Sequence, residues 1–142
     1  MQHFLDRREL FLKIEKNESV QNEILGALNL YEIMSGEVTF AIGMIRNLEV
    51  GYFDGKEYLK KMYPENLEIV SFHGSIAENE PRLHIHCAGA NKDHSVVGGH
   101  FFSGVADPLL EVKITKFDGI KLGREKNPAS GLSELTILRS KH

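Results

Sequence analysis

From Val38 onward the chain is a series of short apolar or alternating runs, each closed by a turn signal, and this restricts most of it to β-structure. Residues 38–45 are apolar enough for a strand covered on both faces. Residues 48–53 and 57–63 flank Asp54-Gly55, a strong hairpin signal. Residues 67–76 form another strand candidate. Residues 82–88 and 95–102 flank the polar turn Asn91-Lys92-Asp93-His94. Residues 110–117 alternate and end at Asp118-Gly119, with Asp107-Pro108 read as the turn that starts them. After Gly123 the periodicity fades, although residues 132–138 can add a short edge strand.

Before this β-region, residues 8–14 place Leu10, Leu12 and Ile14 on one strand face, with Phe11 on the other. Residues 17–33 carry the one clear helix. Val20, Ile24, Ala27, Leu28 and Tyr31 share a side of it, Asn17 or Ser19 can cap its start, and Gly36 is a plausible stop. One helix with seven or eight strands predicts an α+β fold, with the helix covering one face of a largely antiparallel sheet.

No apolar run approaches the ~18 residues of a membrane span. The first eight residues lack the long apolar stretch of a cleaved signal. Cys87 is the single cysteine, so no intrachain disulfide forms and a reducing cytoplasm is the expected location. The net charge of −3 argues against a general grip on nucleic acid, which needs clustered basic residues. The charge is uneven, however: residues 121–142 carry +3 and the remainder −6. The plain reading of that tail is a solvated, partly mobile terminus, and the sharper one a contact with an anionic partner.

The segment Leu83-His84-Ile85-His86 sets two histidines two residues apart, hence on one strand face. The next strand candidate carries Gly98-Gly99-His100. A type I turn at Asn91 followed by a left-handed His94 pairs Asn91 with Ser95, and counting back sets His86 opposite His100. A slip of one residue would send His100 to the other face. Three imidazoles at one point suit Zn²⁺, Ni²⁺, Cu²⁺ or Fe²⁺ and leave a coordination position for water or a small ligand. Half-buried histidines that simply find polar partners are the competing reading. Gly98 and Gly99 remove bulk beside His100. His73 can face the same region as a fourth ligand or serve as an ordinary strand residue, and Cys87 points away from His86 as a small core residue. No serine has nucleophile-elbow context, and Gly98, Gly99 and Gly104 do not form a phosphate loop. No catalytic residue is assigned.

Four stretches together resemble the plant- and prokaryote-conserved (PPC) domain: Gly51-Tyr52-Phe53-Asp54, residues 67–76 with Ser71-Phe72-His73-Gly74-Ser75, Leu83-His84-Ile85-His86, and Val96-Val97-Gly98-Gly99-His100-Phe101-Phe102-Ser103-Gly104. The resemblance spans about residues 8–117 and looks like the stand-alone prokaryotic form. It implies one PPC domain over 1–142 with residues 121–142 as an extension, a central antiparallel sheet with a flanking helix, and a homotrimer. It also implies a DNA-binding label, carried from plant relatives whose AT-hooks bind DNA; the hook core Arg-Gly-Arg-Pro is absent here. A zinc-type metal at His84, His86 and His100 is a family-level implication. The expectation is a trimeric regulatory or binding module, with a small anion or other ligand at the metal, no membrane contact and no assigned enzymatic role. The alternative is a small metalloenzyme with an open-coordination site. The apolar surface of residues 38–45 and 96–102, more than one helix can cover, agrees with self-association.

Overall fold

The computed structural model describes residues 1–139, with only the backbone at Arg139. Among these residues nine strands and one helix follow one another as β1 (Gln2–Asp6), β2 (Glu9–Glu15), α1 (Val20–Leu30), β3 (Gly36–Phe53), β4 (Tyr58–Tyr63), β5 (Leu67–Ile76), β6 (Leu83–Ala90), β7 (Val96–Lys116), β8 (Ile120–Lys126) and β9 (Ser133–Arg139). Seven strands form one antiparallel sheet in the order β1-β2-β7-β6-β5-β3-β4, and β8 and β9 pair separately. The long strands β3 and β7 also pair with each other, which closes a ring of ladders through β3, β5, β6 and β7. The predicted α+β class with a largely antiparallel sheet is the observed one.

Alternation, interrupted in β5 by a register shift between Ile69 and Ser71, accounts for the core. Leu10, Leu12 and Ile14 of β2, Ile69 and Phe72 of β5, Ile85 and Cys87 of β6, and Leu110, Val112 and Ile114 of β7 are all buried. Helix α1 packs on β7 and β2 and adds Val20, Ile24, Ala27 and Leu28 to the same cluster. Its ends differ from expectation. Asn17 does not cap it, because its side-chain oxygen accepts from Arg46. Ser19 holds the N-cap position, but its Oγ makes no hydrogen bond while its backbone bridges to Val105. The helix stops before Gly36: Glu32 turns left-handed (φ 50°), and the Glu32 and Ile33 amides donate to the carbonyls of Asn29 and Leu28. The Arg82 guanidinium then donates to the Ile33 carbonyl and to the Asn29 side chain, fixing that end to the loop before β6.

Two pairs of predicted strands are each one strand. Residues 38–53 run through β3 because left-handed Asn47 and several register shifts absorb the irregularity without breaking the ladder. Asp107-Pro108 is not a turn but an irregular point inside β7, where proline has no amide to donate. The Asp107 carboxylate is held within the chain, by Arg46 at 3.3 Å and Lys16 at 3.5 Å.

Residues 121–138 of the tail are packed on the domain rather than loose. Leu122 is buried, its amide donates to Ser35 Oγ (2.9 Å), and its carbonyl accepts from the Glu78 amide (2.9 Å). The Arg124 amide donates to Asn79 Oδ1 at 2.7 Å, and Asn79 Nδ2 donates back to the Arg124 carbonyl at 2.8 Å. These bonds dock the β8–β9 hairpin on the loop between β5 and β6 and on Ser35 just before β3. Of the tail's basic residues, Lys141 and the side chain of Arg139 lie outside the described residues. No helix among the described residues is long and apolar enough to cross a membrane.

Burial pushes the Cys87 thiol up to about 12. The native protein is therefore expected to resist iodoacetamide at pH 8 over hours and to react promptly in urea, as followed by mass spectrometry. Fast labelling of the folded chain would contradict the placement of Cys87 in the core.

Candidate metal centre

The turn between β6 and β7 sets the site. The Asn91 amide donates to the Ser95 carbonyl and the His94 amide to the Asn91 carbonyl, both at 2.9 Å, and His94 is left-handed at φ 62°. Asn91 Oδ1 also accepts from the amides of Asp93 and Ser95, which explains an asparagine at this corner. From there the ladder runs Ala90 against Val96 through to His86 against His100, the register expected from the sequence. Close approach of the two strands depends on Gly98, where a Cβ would lie 2.3 Å from the Cys87 carbonyl oxygen.

His84, His86 and His100 each offer a ring nitrogen, and the three nitrogens lie within 4.8 Å of one another. His84 Nε2 and His86 Nε2 are 3.3 Å apart. At zinc–imidazole bond lengths, tetrahedral ligands stand about 3.3 Å apart, so this pair already has the spacing of two ligands. Bringing the widest pair to that spacing takes at most about 1.5 Å of ring movement. The rings stand close, with centroids 5.0 Å, 5.3 Å and 5.8 Å apart.

The electrostatics keep lone pairs available. Burial, then the neighbouring His84, His86 and Lys60, push the His100 imidazole down to about 4. Burial, then His86 and Arg124, lower that of His84. Both rings are neutral at neutral pH and can act as ligands, and no carboxylate among the described residues joins the cluster. An all-imidazole donor set fits a borderline transition metal better than calcium or magnesium, which want oxygen. Tyr58 stands behind His100, its hydroxyl 3.5 Å from Nδ1. With Nδ1 as donor in that contact, the Nε2 lone pair is left free. Phe102 lies 4.7 Å from the His100 ring and 5.2 Å from Tyr58. Gly51, the strand neighbour of His100 on β3, makes room for both: a Cβ there would come 2.6 Å from the Phe102 ring.

His73 pairs with His86 across β5 and β6 but does not belong to the close group of three. Cys87 points into the core on the opposite face. Tyr58, Phe102, Ser75 and Arg124 adjoin the cluster and were not legible as site residues. A cavity of about 620 Å³ opens between His84 and His100 on one side and the β8–β9 hairpin on the other. The hairpin is thus a wall of the site.

Comparison with known proteins agrees with this architecture. The model of the Plants and Prokaryotes Conserved (PCC) domain matches residues 1–118. Among solved structures, a metal-containing protein from Archaeoglobus fulgidus is 28% identical, covering 96% of this chain and 99% of its own, with a TM-score of 0.82. A plant- and prokaryote-conserved (PPC) protein from Pyrococcus horikoshii shares the fold at 24% identity, covering 94% of each chain, with a TM-score of 0.79. A candidate DNA-binding protein from Bacteroides thetaiotaomicron shares it at 22% identity, covering 95% of this chain and 96% of its own, with a TM-score of 0.88. No curated protein matches the sequence.

Replacing Gly98 by Ala forces β6 and β7 apart at the Ala88–Gly98 pair, two residues along the ladder from His86 and His100. We expect Gly98→Ala to lose about 3 kcal/mol of stability in urea unfolding. An unchanged midpoint would show that the two strands do not need this close approach.

Proposed function

This chain belongs to the Plants and Prokaryotes Conserved domain family, and we propose that it is a homotrimeric binding and regulatory module holding one zinc-type ion per chain on His84, His86 and His100. The observation that carries the reading is the convergence of three imidazole nitrogens within 4.8 Å, two of the rings being kept neutral by their surroundings. The metal-containing relative from Archaeoglobus fulgidus, aligned over nearly the whole chain, supports it. Bound there, the ion would act as a Lewis acid with a position open to a small ligand. Around it, this chain's residues orient His100 through Tyr58, supply apolar cover through Phe102, and carry positive charge at Arg124 and Lys60. We read residues 1–142 as one domain, the C-terminal hairpin being part of it, working in the cytoplasm with a reduced Cys87.

Self-association is supported by an apolar row on the outer sheet face. Phe4 pairs with Phe11, Phe11 with Lys113, and Lys113 with Phe40, so all four share a face. Phe4, Phe11, Phe40, Ile42 and Val70 are exposed in the single chain. Burying such a row is what a closed cyclic assembly does. Sedimentation equilibrium is expected to give three chains per particle, and Phe40→Asp to shift the population toward monomer. A wild-type monomer at micromolar concentration would remove the trimer.

DNA binding has weaker physical support. Relatives described as candidate DNA-binding proteins share the fold, but the chain is acidic overall and lacks the hook core. If DNA is bound, the complex must be salt-sensitive, and no mobility shift at ~50 mM salt would dismiss it. The metalloenzyme alternative draws on Tyr58, which lines the cavity with its hydroxyl 3.5 Å from His100 Nδ1 and is the candidate for a proton-transfer role. Only background rates in a hydrolase and lyase screen of metal-loaded protein would count against it.

The direct test is elemental analysis after dialysis. The expected result is about one transition-metal ion per chain, lost in His84→Ala and in His100→Ala, with both variants still folded by circular dichroism. A wild-type chain that holds no metal and takes up none at micromolar concentration would overturn the reading.

A further inference from the structure

Among the described residues Arg124 is one of two buried polar ones, with a relative exposure of 7%, and it belongs to the segment that reads from sequence as a solvated tail. Its Nε donates to the Pro81 carbonyl at 3.2 Å, and its Nη2 to Ser75 Oγ at 2.9 Å and to the Ser75 carbonyl at 3.4 Å. All three acceptors are neutral. Among the described residues Nη1 makes no hydrogen bond, and no carboxylate lies within ion-pair distance of the guanidinium. A cation placed so deeply without a counter-charge is costly unless something anionic completes it. Burial accordingly lowers the guanidinium pKa from its ordinary value.

The place where an anion would complete it is already present. Arg124 lines the 620 Å³ cavity that also opens onto His84 and His100. Ser75, which orients the guanidinium, is the direct strand partner of His84, so the cation stands one strand away from the imidazole cluster. The rest of the wall is mainly apolar, with Phe102 and Tyr58 on the sheet side and Leu132 and Leu135 on the hairpin side. The volume falls within the range of small-molecule sites, and a mostly apolar wall with a few convergent polar groups is their usual composition.

We propose that this cavity binds a small organic monocarboxylate, with Arg124 receiving the carboxylate and the apolar wall receiving the hydrocarbon body. The inference rests on the metal reading, because the ligand would occupy the space onto which His84 and His100 open. The charge of the wall selects a monoanion. One guanidinium faces the cavity, whereas Glu134 on the same wall is kept ionised by side-chain hydrogen bonds from Asn127 and Ser130 and would repel a second negative charge. Lys60 is drawn toward the face of Phe102, 4.1 Å from the ring centroid, and toward Glu49 at 3.9 Å. Its charge favours an anion at the His100 end without offering a second fork. A phosphate dianion is therefore a poorer match than a carboxylate.

Benzoate, its neutral isostere benzamide, and phenyl phosphate serve as probes in calorimetric titrations of zinc-loaded and metal-free protein, with zinc content measured on each sample. The expected result is saturable benzoate binding by zinc-loaded protein, weaker by about tenfold or more for benzamide and for phenyl phosphate. In Arg124→Met, benzoate binding should fall by a similar factor while zinc content stays at the wild-type level. The benzamide comparison uses the unaltered chain, so it stands even if the variant folds poorly. Protein that holds zinc but binds benzoate no better than benzamide overturns the anion assignment and leaves the metal reading intact. Protein that holds no zinc overturns the metal reading; benzoate titration of that metal-free chain against Arg124→Met then still decides whether the guanidinium receives a carboxylate. Preference for phenyl phosphate over benzoate overturns the choice of a monoanion.

Discussion

Two backbone hydrogen bonds across the corner at Asn91–Ser95, with His94 in the left-handed region, hold β6 and β7 in a single register. Side chains alternate strictly along a strand, so this register decides which residues face the core and which face the site. In the observed alignment Cys87 enters the core while His86 and His100 stand opposite each other on the outer face, with His84 one step along. The glycines beside them matter for the same reason. Gly98 and Gly51 have no side chain to separate the strands or displace the rings that flank His100.

The second organising element is polar. The β8–β9 hairpin is docked mainly by backbone and side-chain hydrogen bonds to Ser35, Glu78 and Asn79, with Leu122 as its buried apolar anchor. It carries Arg124 to the edge of the imidazole cluster and encloses a volume the sheet alone would leave open. The metal-ligand candidates of β6 and β7 and the buried cation of β8 thus meet across one cavity. With an ion on the imidazoles, a Lewis acid and a guanidinium would face a common space, an arrangement suited to holding an anion whose other end is apolar.

The sheet class, the faces of β2 and α1, the Asp54-Gly55 hairpin and the His86–His100 register were all legible, because each follows from side-chain periodicity or from turn chemistry. The long strands β3 and β7 were read as broken because left-handed Asn47 and the proline at position 108 look like stops in one dimension. In three dimensions a bulge absorbs each of them. Strands β1 and β8 were missed for a different reason. β1 exposes nearly all its side chains, and β8 buries one leucine and one arginine, so neither leaves an apolar pattern. Docking by backbone hydrogen bonds has no signature in hydropathy. The same blindness hid Arg124 and Tyr58 from the site, since their roles depend on which distant strand they meet; Phe102, two residues from His100, shares its strand face but carries no ligand chemistry to mark it.

The centre of the account is that three imidazoles act together on one ion. X-ray absorption at the zinc edge, on protein given one equivalent of zinc and dialysed, tests this most directly. The account predicts about three imidazole nitrogens at about 2.0 Å with one oxygen ligand beside them. A sulfur ligand from Cys87, or a shell of solvent oxygens without imidazole scattering, would contradict it.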